Sequence, residues 1–243
     1  MTKTGWKRRW LQVVEKITLV RDEAAERQLL HALAQKPIKH AYVLSFINAH
    51  AMNILAKNPV FFDAVMESDL VLRDGVGMSM LFKHLGIKPG MNMNGTDFIP
   101  KILQSFEGRK VALWGTESPY LQHAAEQVQT KFGVNVASMH HGFDADHVYL
   151  QLAQDYEPEL IVLGMGMPKQ ERVASLLRQN KVPAVIVNGG AIIDFLGNKI
   201  NRAPSFFRRL GLEWLYRLGK EPVRLGRRYL IGNLSFIWRK TVL

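Results

Sequence analysis

Asp74 is the residue of this sequence best placed to move a proton. It follows the apolar run Asp69–Leu72 and precedes Gly75-Val76-Gly77, so a carboxylate stands at a strand end beside a flexible turn. There it acts either as a general base or as the N-cap of the helix that follows, and spacing alone leaves both open. Other apolar runs end in a similar way. Ala41–Ile47 ends in Asn48-Ala49-His50 and Lys110–Trp114 in Gly115-Thr116. Leu160–Leu163 leads into Gly164-Met165-Gly166-Met167-Pro168-Lys169-Gln170-Glu171, and Pro183–Val187 into Asn188-Gly189-Gly190. Glycines let backbone approach a ligand closely, and helix N-termini offer N–H groups to phosphate. Five such turns point to a nucleotide diphosphate. Lys169 and Gln170 open a helix with Pro168 read at its first position. Their side chains either touch the ligand or face solvent.

Metal chemistry has weaker signals. The chain has no cysteine, which excludes disulfides and thiolate metal sites. Asp144-Ala145-Asp146 has a D-x-D spacing that can hold a divalent ion on a diphosphate, but it also stands at a helix start, where Asp is favoured anyway. His140 and His141 are adjacent in sequence, just past the predicted strand Val134–Met139. Were they on a strand, their side chains would alternate to opposite faces, which makes them a poor metal pair.

These residues need a scaffold that gathers strand ends, and the pattern supplies one. Apolar runs at Ala41–Ile47, Asp69–Leu72, Lys110–Trp114, Val134–Met139, Leu160–Leu163 and Pro183–Val187 alternate with helical stretches. The helices are predicted at Asp22–Gln35, Ala49–Lys57, Gly77–Leu85, Asp97–Phe106, Pro119–Phe132, Ala145–Gln154 and Lys169–Gln179. The expected fold is α/β: a mainly parallel, Rossmann-like sheet flanked by helices. In such a sheet, ligands bind beyond the carboxyl ends of the strands.

The pattern breaks near Leu196. Residues 196–243 hold eleven Lys and Arg against two Glu, a net of +9 in a chain whose total is +11. The expected organisation is a catalytic α/β domain over residues 1–195 and a basic, aromatic helical appendage over 196–243. Phe207, Leu210, Trp214 and Leu218 share one helical face, so part of the appendage docks or inserts. Cations interleaved with Trp214, Tyr216, Tyr229, Phe236 and Trp238 suit an anionic membrane surface. No run approaches the length of a spanning helix and no signal peptide is visible. The protein is expected in the cytosol, peripheral on the inner face of the membrane. Exposed apolar residues of the appendage could instead pair subunits into a homo-oligomer.

The ordered motifs carry a resemblance. They are Asn48-Ala49-His50, Asp69 to Gly77, Asn94-Gly95-Thr96-Asp97, His140 to Phe143, Gly164 to Glu171, Gly189-Gly190 with Asp194-Phe195, Arg202-Ala203-Pro204, Arg209 to Leu218, and Glu221-Pro222 leading to Arg227-Arg228-Tyr229. From about Tyr42 onward the chain resembles the WecG/TagA/CpsF glycosyltransferases, which build bacterial surface polysaccharides and teichoic acid linkage units. The resemblance implies inverting, metal-independent transfer from a UDP-sugar to a polyprenyl-diphosphate-linked glycan, with no cofactor. It implies Asp74 as the base. It implies a substrate pocket that includes Asn48, Asn94, Gly115, Gly166, Lys169, Gln170, Gly189, Gly190 and Asp194. Appendage arginines such as Arg202, Arg209, Arg217 and Arg224 are then expected near the diphosphate. Two positions depart from the family pattern. Phe46 stands where Thr is usual and Asn92 where Arg is common, which turns the expected sugar from N-acetylmannosamine or its uronic acid toward a plain hexose such as glucose.

Two other classes compete. A basic chain could bind nucleic acid without catalysis, but no recognition motif is present, and nucleic acid is not an expected partner. A nicotinamide-dependent oxidoreductase needs G-x-G-x-x-G after the first strand, where Asn48-Ala49-His50 stands.

Overall fold

The computed structural model describes residues 5–35, 38–204, 206–207 and 212–243. Six strands form one sheet: β1 (Tyr42–Ile47), β2 (Leu70–Arg73), β3 (Lys110–Gly115), β4 (Asn135–His141), β5 (Leu160–Leu163) and β6 (Val185–Asn188). Their order is β2-β1-β6-β5-β3-β4, and every pairing is parallel. Strands β1, β2, β5 and β6 are rich in Val, Ile and Leu and buried along nearly their whole length, as strands covered on both faces must be. β4 lies at an edge and is half-exposed.

One face is covered by α2 (Glu23–Gln35), α6 (Gly95–Ser105), α7 (Tyr120–Phe132) and α10 (Ile192–Leu196), whose Phe98, Ile102, Val128 and Ile193 pack with Leu44, Leu113 and Val187. On the other face, α1 (Gly5–Lys16), α3 (Ala49–Lys57), α4 (Pro59–Glu67) and α5 (Val76–His84) pack over Ile47 and Val71. Beside them, α8 (Asp146–Tyr156) and α9 (Lys169–Gln179) cover Trp114, Ile161 and Ile186. The strands match the sequence reading to within two residues at either end. Helices α1 and α4 were not among the predicted elements. Trp10, Val13, Val14 and Ile17 form the buried stripe that holds α1 in place, with Trp10 fully enclosed. α4 starts where the Asn58 side chain accepts from Phe61 N and Pro59 takes the first turn.

From Glu213 onward the chain is helical, as expected: α11 (Glu213–Lys220), α12 (Pro222–Gly226), one π-helical turn (Arg227–Ile231) and α13 (Gly232–Thr241). α13 returns to the core. Phe236 is buried against Trp10, ring centroids 5.3 Å apart. Asn53 on α3 donates to the Gly232 carbonyl at 2.7 Å and accepts from Arg239 at 2.6 Å. Of the stripe predicted on this segment, Trp214 and Leu218 are half-buried on α11, whereas Leu210 lies outside the described residues. Among the described residues, no helix is long and apolar enough to cross a membrane.

Candidate active site

The sheet order decides where a ligand can sit. β6 lies between β1 and β5, yet its following helix α10 covers one face while α3 and α9, which follow β1 and β5, cover the other. The chain therefore parts on either side of β6 and leaves a crevice at the strand ends. A cleft of about 270 Å³ opens there. Its lining includes Asn48, Asp74, Gly166, Gln170, Gly189, Gly190, Asp194 and Arg217, eight of the residues predicted for the site. A larger groove of about 410 Å³ between α4 and α9 is lined by none of the strand-end glycines.

Asp74 is fixed by its own backbone and by the turn after it. Its N–H donates to the Ile47 carbonyl at 2.8 Å, and Asn48 Nδ2 donates to its Oδ2 at 3.3 Å. Asn48 also caps α3, accepting from His50 N and Ala51 N. Asp74 is not the cap of α5. That position falls to Gly75, whose φ of +86° favours glycine and which makes no side-chain capping bond. The Gly75 N–H instead donates to Asn92 Oδ1 at 2.7 Å. Beneath the turn, Arg73 is buried and donates to the carbonyls of Pro89 (2.6 Å) and Gly90 (2.8 Å) and to Ser79 Oγ (2.8 Å). The turn bearing Asp74 is thus stitched to residues 89–92 from two directions. Neither Arg73 nor Asn92 lines the cleft, and nothing in local spacing marks them as supports.

Gln170 is fully buried and divides its amide. Its Oε1 accepts from Gly190 N at 3.0 Å, and its Nε2 donates to Glu171 Oε1 at 2.8 Å. It therefore holds the β6 turn against α9. Burial pushes the Glu171 carboxyl up to about 7. Below the same turn, Asn188 donates to Ser45 Oγ at 2.9 Å, and Ser45 pairs with Ser68 at 2.8 Å. Asp194 lies 3.8 Å from Lys199 Nζ. Arg217 reaches the cleft from α11 with its guanidinium 5.3 Å from the Phe195 ring. Its Nε is buried without a hydrogen-bond partner among the described residues.

Four predicted residues do not line this cleft. Asn94 caps α6, accepting from Asp97 N at 2.9 Å. Gly115 is a packing glycine, since a Cβ there would stand 2.9 Å from the Gly164 backbone and from Ile193. Lys169 neither reaches the cleft nor extends into solvent. Its ammonium donates to the carbonyls of Gly142 (2.8 Å) and Asp144 (2.5 Å). Pro168 stands before the first turn of α9, not within it. Arg202 pairs with Asp97 at 2.5 Å and approaches Glu213 to 4.0 Å. Arg209 and the Arg224 side chain lie outside the described residues. Thr96, Met165 and Phe195 also line the cleft; the sequence reading placed them in motifs without giving them a site role.

The D-x-D spacing does not make a paired site. Asp146 is bound by Arg172, whose hydrogen bond holds its carboxyl below the usual range. Asp144 turns to the histidines. The expectation that His140 and His141 point apart is overturned: their rings lie 4.6 Å apart and both face Asp144 Oδ2, at 2.8 and 3.8 Å. They close the end of an edge strand, where the chain folds back at Gly142. The hydrogen bond from His140 holds the Asp144 carboxyl below its ordinary range.

The chain matches the profile of the glycosyl transferase WecG/TagA/CpsF family over residues 13–243. It belongs to that family. Members similar to it include an N-acetylglucosaminyldiphosphoundecaprenol N-acetyl-beta-D-mannosaminyltransferase of Bacillus spizizenii, 30% identical over 176 residues, covering 70% of this chain and 68% of the relative. Proteins of the same description from Bacillus subtilis and Staphylococcus aureus are 25% identical over 190 and 186 residues, covering 76% and 74% of this chain and 74% and 72% of theirs. This WecG/TagA/CpsF chain is accordingly a glycosyltransferase, and the cleft around β6 is the place on it where strand ends, a carboxylate and an arginine meet.

Proposed function

We propose that the protein transfers one sugar, with inversion, from a UDP-sugar to a polyprenyl-diphosphate-linked glycan at a membrane surface. The observation that carries this reading is the meeting of Asp74, from β2, with Arg217, from the appendage, in one cleft at the switch in chain direction. Asp74 takes the proton of the acceptor hydroxyl, the oxygen attacks the anomeric carbon, and the bond to the UDP oxygen breaks with its electron pair leaving on the diphosphate. A positioned base contributes a factor of about 10²–10⁴. Arginine suits the leaving group because it stays charged and forks onto phosphate. With Arg217 in that role the reaction requires no metal.

The acceptor class rests on the relatives, whose names give a diphosphoundecaprenol substrate. The apolar, cationic end of the appendage fits a lipid surface: Val223, Leu230, Ile231, Leu234 and Trp238 are all exposed, on elements that carry Arg224, Arg227, Arg228, Arg239 and Lys240. For the donor we favour a plain hexose, because the Phe46 ring edges the cleft where a hydroxyl would serve an acetamido group. The relatives' names make N-acetylmannosamine the second arm of the test.

The experiment is a donor screen that follows UDP release with a short-chain polyprenyl diphosphate glycan, run on the wild type and Asp74→Asn. Turnover with UDP-glucose or UDP-N-acetylmannosamine, lost at least a hundredfold in Asp74→Asn while UDP binding persists, is the expected result. Undiminished turnover in the variant removes Asp74 from the chemistry.

A further inference from the structure

His140, His141 and Asp144 are not among the residues lining the cleft, and the proposed transfer step uses none of them. Each offers one ligand atom, and the three atoms lie within 4.8 Å of one another. Two imidazoles and a carboxylate form the donor set of zinc and related divalent transition metals, with bond lengths of about 2.0–2.2 Å. Soft thiolate sites are excluded because the chain has no cysteine.

The surroundings hold the three residues in register. Tyr149 is buried on α8, its hydroxyl donates to the His141 carbonyl at 2.9 Å, and its ring meets the His140 ring edge-on at 5.9 Å. Lys169 ties the carbonyls of Gly142 and Asp144 from the other side. Strand end and turn are therefore fixed before any ion arrives, which lowers the ordering cost of binding. The three side chains are 27%, 43% and 43% exposed, enough for water to complete a tetrahedron. Asp146 is not a fourth ligand, being held by Arg172.

We propose that His140, His141 and Asp144 form a binding site for one divalent transition-metal ion of the zinc class. Ligation through His141 Nε2 places that ring's proton on Nδ1 and displaces the contact from Phe143 N, which at 3.4 Å is the weakest bond of the turn. Lys169 opposes the incoming charge and keeps affinity below that of a closed structural zinc site. The ion bolts the 140–144 turn to the end of β4. That turn packs on the cleft wall, since a Cβ at Gly142 would stand 2.8 Å from the Gly115 carbonyl and 3.1 Å from Met165. The site stabilises the protein without touching the reacting atoms.

The test uses the full chain, stripped with a chelator and titrated with Zn²⁺, with Mg²⁺ as the hard-cation comparison. Calorimetry and thermal melting are read on the wild type, Asp144→Asn, His141→Gln and, as a neighbouring histidine outside the site, His147→Ala. One equivalent of Zn²⁺ is expected, with a melting point raised by roughly 5 °C at a hundredfold excess over Kd and no response to Mg²⁺. Asp144→Asn and His141→Gln each weaken binding at least tenfold, and His147→Ala leaves it unchanged. Asp144→Asn keeps the size and hydrogen-bonding capacity of the side chain, so a folded variant is assured by its unliganded melt. Equal zinc affinity in Asp144→Asn, His141→Gln and wild type, or no binding at micromolar zinc, overturns the site. Neither result bears on the Asp74 assay.

Discussion

Replacing Glu171 by glutamine makes the stability of this protein less dependent on pH. Glu171 is buried in the first turn of α9, accepts one hydrogen bond from Gln170, and leaves Oε2 buried without a partner among the described residues. Desolvation raises its pKa from 4.5 to about 7. Because the folded pKa lies above the unfolded one, the folded state binds the extra proton. The contribution of Glu171 to stability is then greatest in acid, falls as pH rises from near 4, and levels off above about 8. A shift of two to three units corresponds to about 3 kcal/mol at 1.36 kcal/mol per unit. Glu171→Gln keeps the size of the side chain and an acceptor for Gln170, and removes the ionisation. Urea unfolding of both proteins from pH 4 to 8.5 tests this. The variant gains on the wild type by up to about 3 kcal/mol at pH 8, with the difference shrinking toward pH 4, while all other titrations cancel. A difference that stays constant across the range refutes the reasoning, because it would mean that Glu171 reaches water or a partner when it ionises.

Two further outcomes follow from the geometry. Asn92→Ala removes the acceptor for Gly75 N–H, a bond worth about 1 kcal/mol, and frees the turn bearing Asp74. Turnover should fall on the order of tenfold with UDP affinity unchanged, and less in Asn92→Asp, which keeps the acceptor; a change in donor affinity alone would contradict the support role. Phe236→Ala empties a buried site against Trp10 and should cost about 3–5 kcal/mol, seen as a lower melting point and easier proteolysis of residues 222–243. A wild-type melt would mean that α13 does not dock on α1 and α3.

The sheet was legible in the sequence because it rests on local signals. Val, Ile and Leu runs such as Leu160–Leu163 and Val185–Val187 are unambiguous when buried on both faces, and glycine or Asn marks their ends. Helices α3 and α9 were predicted with their observed bounds, since Asn48 caps one and Pro168 precedes the other. α1 was hidden by its cations. Its apolar stripe has meaning only once α3, α5 and Phe236 are there to cover Trp10 and Val13. For the site, the chain alone pointed to the strand-end turns that carry Asp74, Asn48, Gly189 and Gly190, because ligands of a parallel sheet bind at strand ends, and it left Gln170 open between ligand and solvent.

Direction and partnership were decided by the tertiary structure. Spacing could not say which residue holds the cap position of α5; in the fold Gly75 holds it, and Asn92 accepts the Gly75 N–H. Lys169, adjacent to a cleft residue, faces two carbonyls 25 and 27 residues back in the chain. His140 and His141 should diverge by strand alternation, yet they converge on Asp144 because the edge strand ends there and the chain turns back. Composition and periodicity record how each segment hides its apolar side. Which polar groups meet depends on contacts between residues far apart in sequence, and those exist only after the core has closed.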